Sequence, residues 1–533
     1  MRIEIVNSGS TIQGDEGDNL YFVLAKSGLM EAACGGHGRC GKCRLRYCSD
    51  PPEPLPDEKE FLSAAELKDG WRLACLHVLT PSIHEPSVLE SSLRIELPAC
   101  GSVVMVSGFW GDVDAPPMDT LDALKGYGLA IDIGTTTLAV SLLDMEKAAV
   151  LASSTRLNSQ NFAGQDVISR IAFAASTANS ISTLQNAVIS DIKTLISDVC
   201  RMAGISGNQI VSATAAGNPA MTHLLAGVDV SPLGVAPYTL VNDGAMRLSA
   251  QQLGLPLSDG TSVYTLPPVA AFLGGDIVGG MLVLGFDQPG ATRLLIDIGT
   301  NGEIALVSGN TIYACSTAAG SALEGMNISC GMRAATGAID KLCIEDGHVR
   351  FTTIDSAPPR GLAGSGLLAA VSALCSCGLL SSKGRLELNG PICKLNGQRC
   401  LIIDESADIV LTQKDIRQVQ LIKGAVFSGV TALLEFAGCP PEAVEQVYVA
   451  GGFGNSLSEY SLLECGILPR QFTGKISFIG NSSLAGARFC LLSAETRKRA
   501  ERLAAGVKYI ELAELEDYQQ RFLSAMLFYC ENS

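Results

Sequence analysis

One pattern occurs twice in this chain and narrows the folds open to it. Leu129-Ala130-Ile131-Asp132-Ile133-Gly134-Thr135-Thr136-Thr137 reads as an apolar strand that ends in an aspartate, turns on Gly-Thr and returns as a second apolar strand. Leu294-Leu295-Ile296-Asp297-Ile298-Gly299-Thr300-Asn301-Gly302 repeats it, with Asp297 lying 165 residues after Asp132. A single Asp-x-Gly-Thr is a weak signal, because any β-hairpin can use Asp and Gly. Two copies with matching flanks are a much stronger one. Gly134, Thr135, Thr136 and Thr137, and their counterparts Gly299, Thr300, Asn301 and Gly302, offer N–H and side-chain donors that can cradle phosphate oxygens. Asp132 and Asp297 are placed to hold Mg2+, usually through water, which neutralises a polyphosphate. A third element, Val447-Tyr448-Val449-Ala450-Gly451-Gly452-Phe453-Gly454, is a strand running into a Gly-Gly turn suited to close packing against adenosine. The other common phosphate loop, G-x-x-x-x-G-K-[ST], is absent from the sequence.

The cysteines carry a second message. The chain has 18 of them in 533 residues, and Cys34, Cys40, Cys43 and Cys75 follow a C-x5-C-x2-C-x31-C spacing. Thiolates this close need a tight loop, and Gly35, Gly36, Gly38 and Gly41 let the backbone wrap a cluster and approach its sulfides. The spacing resembles that of plant-type [2Fe–2S] ferredoxins, with the extra residue in the first gap of the adrenodoxin type. The surrounding pattern predicts strand 1–6, helix 19–28, strand 42–47, helix 60–70 and a strand 71–79 that delivers Cys75, with the Pro-rich Asp50–Asp57 as loop. That order resembles the β-grasp ferredoxin fold. Zinc is the competing reading, but zinc sites usually come as two matched C-x2-C knuckles. A Rieske centre would need a partner for Cys75-Leu76-His77 that the sequence lacks. The G-x-G-x-x-G match at Gly36–Gly41 interleaves with cluster ligands and follows no βαβ pattern, so it is accidental. Cys48 reads as a bystander near the cluster. The other thirteen, Cys375 and Cys377 among them, lack grouped spacing and read mostly as buried apolar thiols.

Composition bounds the remaining possibilities. From Gly128 onward, short β-type runs alternate with longer helical ones, the pattern of an α/β protein. With 38 Lys and Arg against 54 Asp and Glu the net charge is −16, which disfavours a nucleic-acid partner held by a general basic field. Arg39, Lys42, Arg44 and Arg46 nevertheless form a local basic group beside the cysteines, either a solvated surface or a dock for an acidic partner. The first residues show no apolar core behind a basic stretch, so a cytoplasmic protein with reduced thiols is expected. Val269–Phe286 is apolar, but it holds Asp276 and several glycines and is expected as a buried helix and turn, not a membrane span.

The twin hairpins and the Gly-Gly strand together resemble the phosphate-1, phosphate-2 and adenosine motifs of the ATPase superfamily of actin, sugar kinases and heat-shock chaperones. That resemblance implies two RNase-H-like lobes pinching Mg-ATP. Fused to a ferredoxin, it resembles the reductive activators of corrinoid-dependent methyltransferases. Further likeness lies in Gly164-Gln165-Asp166 with Arg170, Gly217-Asn218-Pro219 with His223, and Pro268 through Asp276. It continues in Gly331-Met332-Arg333, Gly364-Ser365-Gly366, and Gln420 with Lys423. The fold implied is a β-grasp ferredoxin over 1–85, a linker over 86–127, a first RNase-H-like lobe over 128–205 and a C-terminal ATPase domain over 206–533. The function implied is ATP-dependent, one-electron reduction of cob(II)alamin to cob(I)alamin through a [2Fe–2S] cluster. The cluster would be held by Cys34, Cys40, Cys43 and Cys75, and Mg-ATP by the hairpin residues with Gly451 and Gly452. The partners implied are a corrinoid protein and a low-potential electron donor, with dimerisation through the C-terminal lobe. An activator of another low-potential metalloenzyme, or a small-molecule kinase with a fused ferredoxin, is the alternative. Beyond the paired aspartates and Glu303, no general base for ATP hydrolysis stands out.

Overall fold

A computed structural model describes residues 1–6, 9–27, 29–30, 36, 38, 41, 43–79, 92–97, 125–395, 397–451 and 457–529. Cys34, Arg39, Cys40, Lys42, Gly452 and most of the expected linker lie outside the described residues. The chain packs as two units, Met1–Val103 with Leu157–Val188, and Val104–Arg156 with Ile189–Ser533.

The first unit is built on a five-stranded sheet in the order Ser10–Gln13, Arg2–Ile5, Ser92–Glu96, Arg44–Tyr47, Trp71–Leu73. Alternation does the sorting in three of the strands: Ile3, Ile5, Leu45 and Ile95 are buried, while the residues beside them are half-buried or exposed. Helix Leu20–Lys26 starts where the Asn19 side chain accepts from Tyr21 N, and its Leu20 and Leu24 complete the core. Two expectations need correction. Ser92–Glu96 lies within the stretch expected as linker, yet it is the middle strand, parallel to Arg2–Ile5 and antiparallel to Arg44–Tyr47. The ferredoxin sheet therefore reaches past residue 85, because its last strand is recruited from beyond a segment whose composition looks like a break. Cys75 sits on a 3-10 turn, Ala74–Leu76, and not on the strand, which stops at Leu73.

The second unit contains two six-stranded sheets, each centred on one of the repeated hairpins. In the first, Tyr127–Ile133 pairs antiparallel with Thr137–Asp144 and parallel with Ile210–Gly217. In the second, Arg293–Ile298 pairs antiparallel with Gly302–Ser308 and parallel with Gln446–Ala450. The same arrangement twice is what two RNase-H-like lobes require. The expected division at 205/206 cuts the first sheet, since Ile210–Gly217 belongs to it. Nothing in composition marks the true edge, because a parallel neighbour is joined by a crossover rather than a turn.

Two helices join these sheets by a close crossing. A Cβ on Gly486 of helix Ser482–Leu492 would lie 2.2 Å from the Cα of Gly279 in helix Gly275–Val283. Position 486 therefore demands glycine, and a Cβ on Gly279 would itself come within 3.2 Å of the Gly486 Cα. Gly275–Val283 is the buried core of the apolar Val269–Phe286 stretch. Among the described residues one helix, Gln413–Phe436, is long and apolar enough to cross a membrane, and 72% of its most apolar window is buried inside the fold.

Candidate functional site

At the cysteine loop, Cys43 and Cys75 are both buried, and their sulfurs stand 3.2 Å apart, well beyond the roughly 2.05 Å of a disulfide. Ala74 N donates to the Cys43 carbonyl at 2.8 Å, and Asn19 Nδ2 donates to the Cys75 carbonyl at 2.8 Å, so both cysteines are held by backbone. Gly36 and Gly41 adopt φ values of 88° and 62°. A Cβ at either would lie 2.6 Å from the ring of Tyr21 or Phe61, so the loop cannot be closed this tightly with other residues. Two buried thiols this close fit a cluster. Cys34 and Cys40, the other two expected ligands, lie outside the described residues.

The rest of this region is committed elsewhere. His77 Nε2 lies 2.9 Å from Oε1 of the fully buried Glu58, and that carboxylate also accepts from Leu73 N at 2.7 Å. Glu58 thus braces both sides of Cys75, and His77 serves as its partner rather than as a ligand. Cys48 is exposed at the far end of strand Arg44–Tyr47. Five residues of strand at roughly 3.3 Å each put it about 16 Å from Cys43, too far to share a cluster. Arg44 donates to Glu66 at 2.8 Å, and Arg46 to Glu96 at 3.0 Å. Half of the expected basic group is therefore spent on internal ion pairs.

In the second unit, the two hairpin turns meet. Asp132 is buried at the end of its strand, where it accepts from Asn481 Nδ2 and Ser483 Oγ, each at 2.6 Å. Both donors begin the helix whose glycine crossing places it there; Asn481 is its N-cap and also accepts from Leu484 N. Thr135 Oγ1 accepts from Asn218 Nδ2 at 2.9 Å, and Asn218 caps helix Pro219–Ala226. A Cβ on Gly134 would lie 2.4 Å from the Thr137 carbonyl, so the turn demands glycine. On the second hairpin a Cβ on Gly302 would lie 2.6 Å from Thr317 Oγ1.

Buried carboxylates surround these turns. Burial raises Asp132, against the pull of Ser483 and Asn481. Asp276 is pushed up to about 6, first by burial, with a further contribution from Asp132. Asp297 is pushed up to about 7 by burial, then by Asp276 and Asp132. Glu303 is raised well above the usual range by burial and by Asp276 and Asp297. No Lys or Arg among the described residues contributes to the shifts of Asp132 or Asp297. Crowded anions without a protein cation fit a bound divalent metal. Among the described residues no three such side chains converge closely enough to ligate a metal directly.

The other expected positions divide. Gly451 follows strand Gln446–Ala450 with φ 131°, while Gly452 is outside the described residues. Lys423 is fully buried, donates to the Ala525 carbonyl at 2.7 Å and lies between the Phe427 and Tyr529 rings. His223 is buried against the Pro219 carbonyl at 2.7 Å. Both pack rather than face the hairpins. Sequence reasoning missed Asn481 and Ser483, which had a signal in Gly480-Asn481-Ser482-Ser483, a strand end followed by a cap.

Comparison with known proteins gives the same division. Residues 3–80 match the family model described as "2Fe-2S iron-sulfur cluster binding domain". Residues 127–289 match "RACo middle region", and 291–533 match "C-terminal domain of RACo the ASKHA domain". The chain is 32% identical to the corrinoid activation enzyme RamQ of Eubacterium limosum, over 95% of each chain. It is 24% identical to the [Co(II) methylated amine-specific corrinoid protein] reductase of Methanosarcina barkeri, over 69% of this chain and 70% of that one. Among solved structures, a reductive activator for corrinoid, iron-sulfur protein superposes with a TM-score of 0.71 at 27% identity, over 99% of this chain and 98% of that one. With the thiol pair in the first of these matched regions, one anionic hairpin in each of the other two, and a relative 32% identical over 95% of each chain, the chain belongs to the family of ATP-dependent reductive activators of corrinoid proteins.

Proposed function

We propose that this chain returns the cobalt of a partner corrinoid protein from Co(II) to Co(I), and that ATP bound between the two hairpins drives the step. The observation that carries the nucleotide half is the meeting of the two turns over buried, cation-free carboxylates. Asp132 and Asp297 hold Mg2+ through water; Gly134, Thr135, Thr137, Gly299, Asn301 and Gly302 line the phosphates, with Thr136 and Thr300 between them. Gly451 and Gly452 pack against the adenosine. Cys34, Cys40, Cys43 and Cys75 hold the [2Fe–2S] cluster, which when bound supplies one-electron transfer. Glu58, through Leu73 N and His77, and Asn19, through the Cys75 carbonyl, hold Cys75 in place.

The need for ATP follows from the arithmetic of potentials. For a one-electron step, each ~59 mV of shortfall costs about 1.4 kcal/mol. Nucleotide offsets such a cost by binding two conformations of the complex with different affinity. An external donor of low potential, a cytoplasmic setting and a dimer formed through the C-terminal lobe complete this reading. The test is anaerobic reduction of a purified Co(II) corrinoid protein, followed spectroscopically with and without Mg-ATP. A rate that depends on nucleotide supports the proposal; equal rates without it would sink the coupling.

A further inference from the structure

Glu324 lies outside every motif above, yet its carboxylate joins the two hairpin turns. Thr136 Oγ1, on the first turn, donates to its Oε2 at 2.6 Å. Thr300 Oγ1, on the second, donates to its Oε1 at 3.1 Å. The two hydroxyl oxygens are 3.3 Å apart. The backbone below is firmly set: Glu324 ends the 3-10 turn Ala322–Glu324, and Gly320 N donates to the Thr300 carbonyl at 2.9 Å. A Cβ on Gly325 would lie 2.2 Å from the Met332 carbonyl, and one on Gly364 would lie 1.9 Å from the Leu323 carbonyl. A turn packed this closely on both sides fixes the backbone from which Glu324 reaches the two threonines.

The bookkeeping of protons gives this cluster its meaning. A threonine hydroxyl has one hydrogen to donate and lone pairs to accept with. Thr136 and Thr300 both give theirs to Glu324, so what they turn to the space between the hairpins is acceptor capacity. A set of acceptors repels phosphate oxygens and attracts the hydrogens of water. We propose that Glu324, Thr136 and Thr300 form the site that orients the water attacking the γ-phosphate, with Glu324 as its proton acceptor. The water oxygen bonds to the γ-phosphorus as the bond to the β,γ-bridging oxygen breaks, and ADP leaves with that electron pair. The water proton passes to the Glu324 carboxylate and from there to solvent. This rests on the reading that nucleotide lies between the hairpins, and it moves Thr136 and Thr300 from gripping phosphate to gripping water.

The test is Glu324→Gln in the full chain, where an amide can accept from only one threonine and cannot take the proton. Two measurements are needed: steady-state ATP hydrolysis, and equilibrium affinity for a non-hydrolysable ATP analogue with Mg2+. General-base contributions are worth roughly 10²–10⁴-fold, so kcat should fall by that order while affinity stays within about threefold. Glu324→Asp, which keeps the charge on a shorter arm, should recover part of the loss. Hydrolysis at the unaltered rate overturns the proposal and leaves the nucleotide reading intact. Loss of analogue affinity in step with hydrolysis also overturns it, making Glu324 part of the binding frame. So does a Mg2+ requirement raised more than tenfold, which would make the cluster a cation site. Failure of the unaltered chain to bind the analogue would instead remove the nucleotide reading beneath it.

Discussion

The two hairpins are nearly the same in sequence and backbone but not in what surrounds their aspartates. Asp132 is tied to Asn481 and Ser483 at 2.6 Å each, a fixed anion with fixed donors. Asp297 faces other carboxylates, and burial together with Asp276 and Asp132 pushes it up to about 7. One is satisfied by protein; the other is left wanting a cation. The difference teaches that a repeated motif supplies a repeated shape, and that the division of labour within it is set by partners from elsewhere in the chain.

The largest expected effect lies on the unsatisfied side. Asp297→Asn removes the charge that most needs Mg2+, and ATP hydrolysis should drop by about 10²–10³-fold, on the scale of losing one transition-state electrostatic contact. Asp132→Asn should cost less, ~10-fold, or about 1.5 kcal/mol for one charge-assisted hydrogen bond, because Ser483 can turn its hydroxyl to accept. Equal losses in a steady-state assay would erase the distinction between the hairpins.

The pH dependence of stability follows from the same asymmetry. A carboxylate raised on folding binds its proton more tightly in the native state, so its stabilisation is present below the ordinary value of roughly 3.9 and is lost as pH climbs. For Asp276 and Asp297 the loss runs through about 6 and about 7. Without Mg2+, the chain should melt at a lower temperature at pH 8 than at pH 5.5, and Asp297→Asn should flatten that slope. An unchanged slope in the variant would assign it to other groups. The smallest effect is expected from Ser483→Ala, which withdraws one donor from Asp132 while Asn481 still holds it, at roughly 0.5–1.5 kcal/mol of stability by denaturant melting. No change there would mean that Asn481 alone holds the aspartate.

How much could be read beforehand depended on distance along the chain. The Asp-Gly-Thr turns, the glycines around Cys43 and the helix at Leu20–Lys26 are local matters, decided by residues a few positions apart. Lys423 and His223 sit in family-like strings, and burial assigns them to packing. Ser92–Glu96 resembled linker because a short alternating run between polar segments does not reveal which sheet it joins.

The sequence by itself determined the chemistry on offer: which cysteines group, which turns repeat, and where glycine is obligatory, since spacing and conformational freedom are properties of neighbours. Tertiary structure alone decided how that chemistry is arranged. Asn481 meets Asp132 across 349 positions, and Glu324 meets Thr136 across 188. Such contacts exist because a parallel sheet neighbour and a glycine–glycine helix crossing bring distant segments within hydrogen-bonding reach, and no local pattern records that.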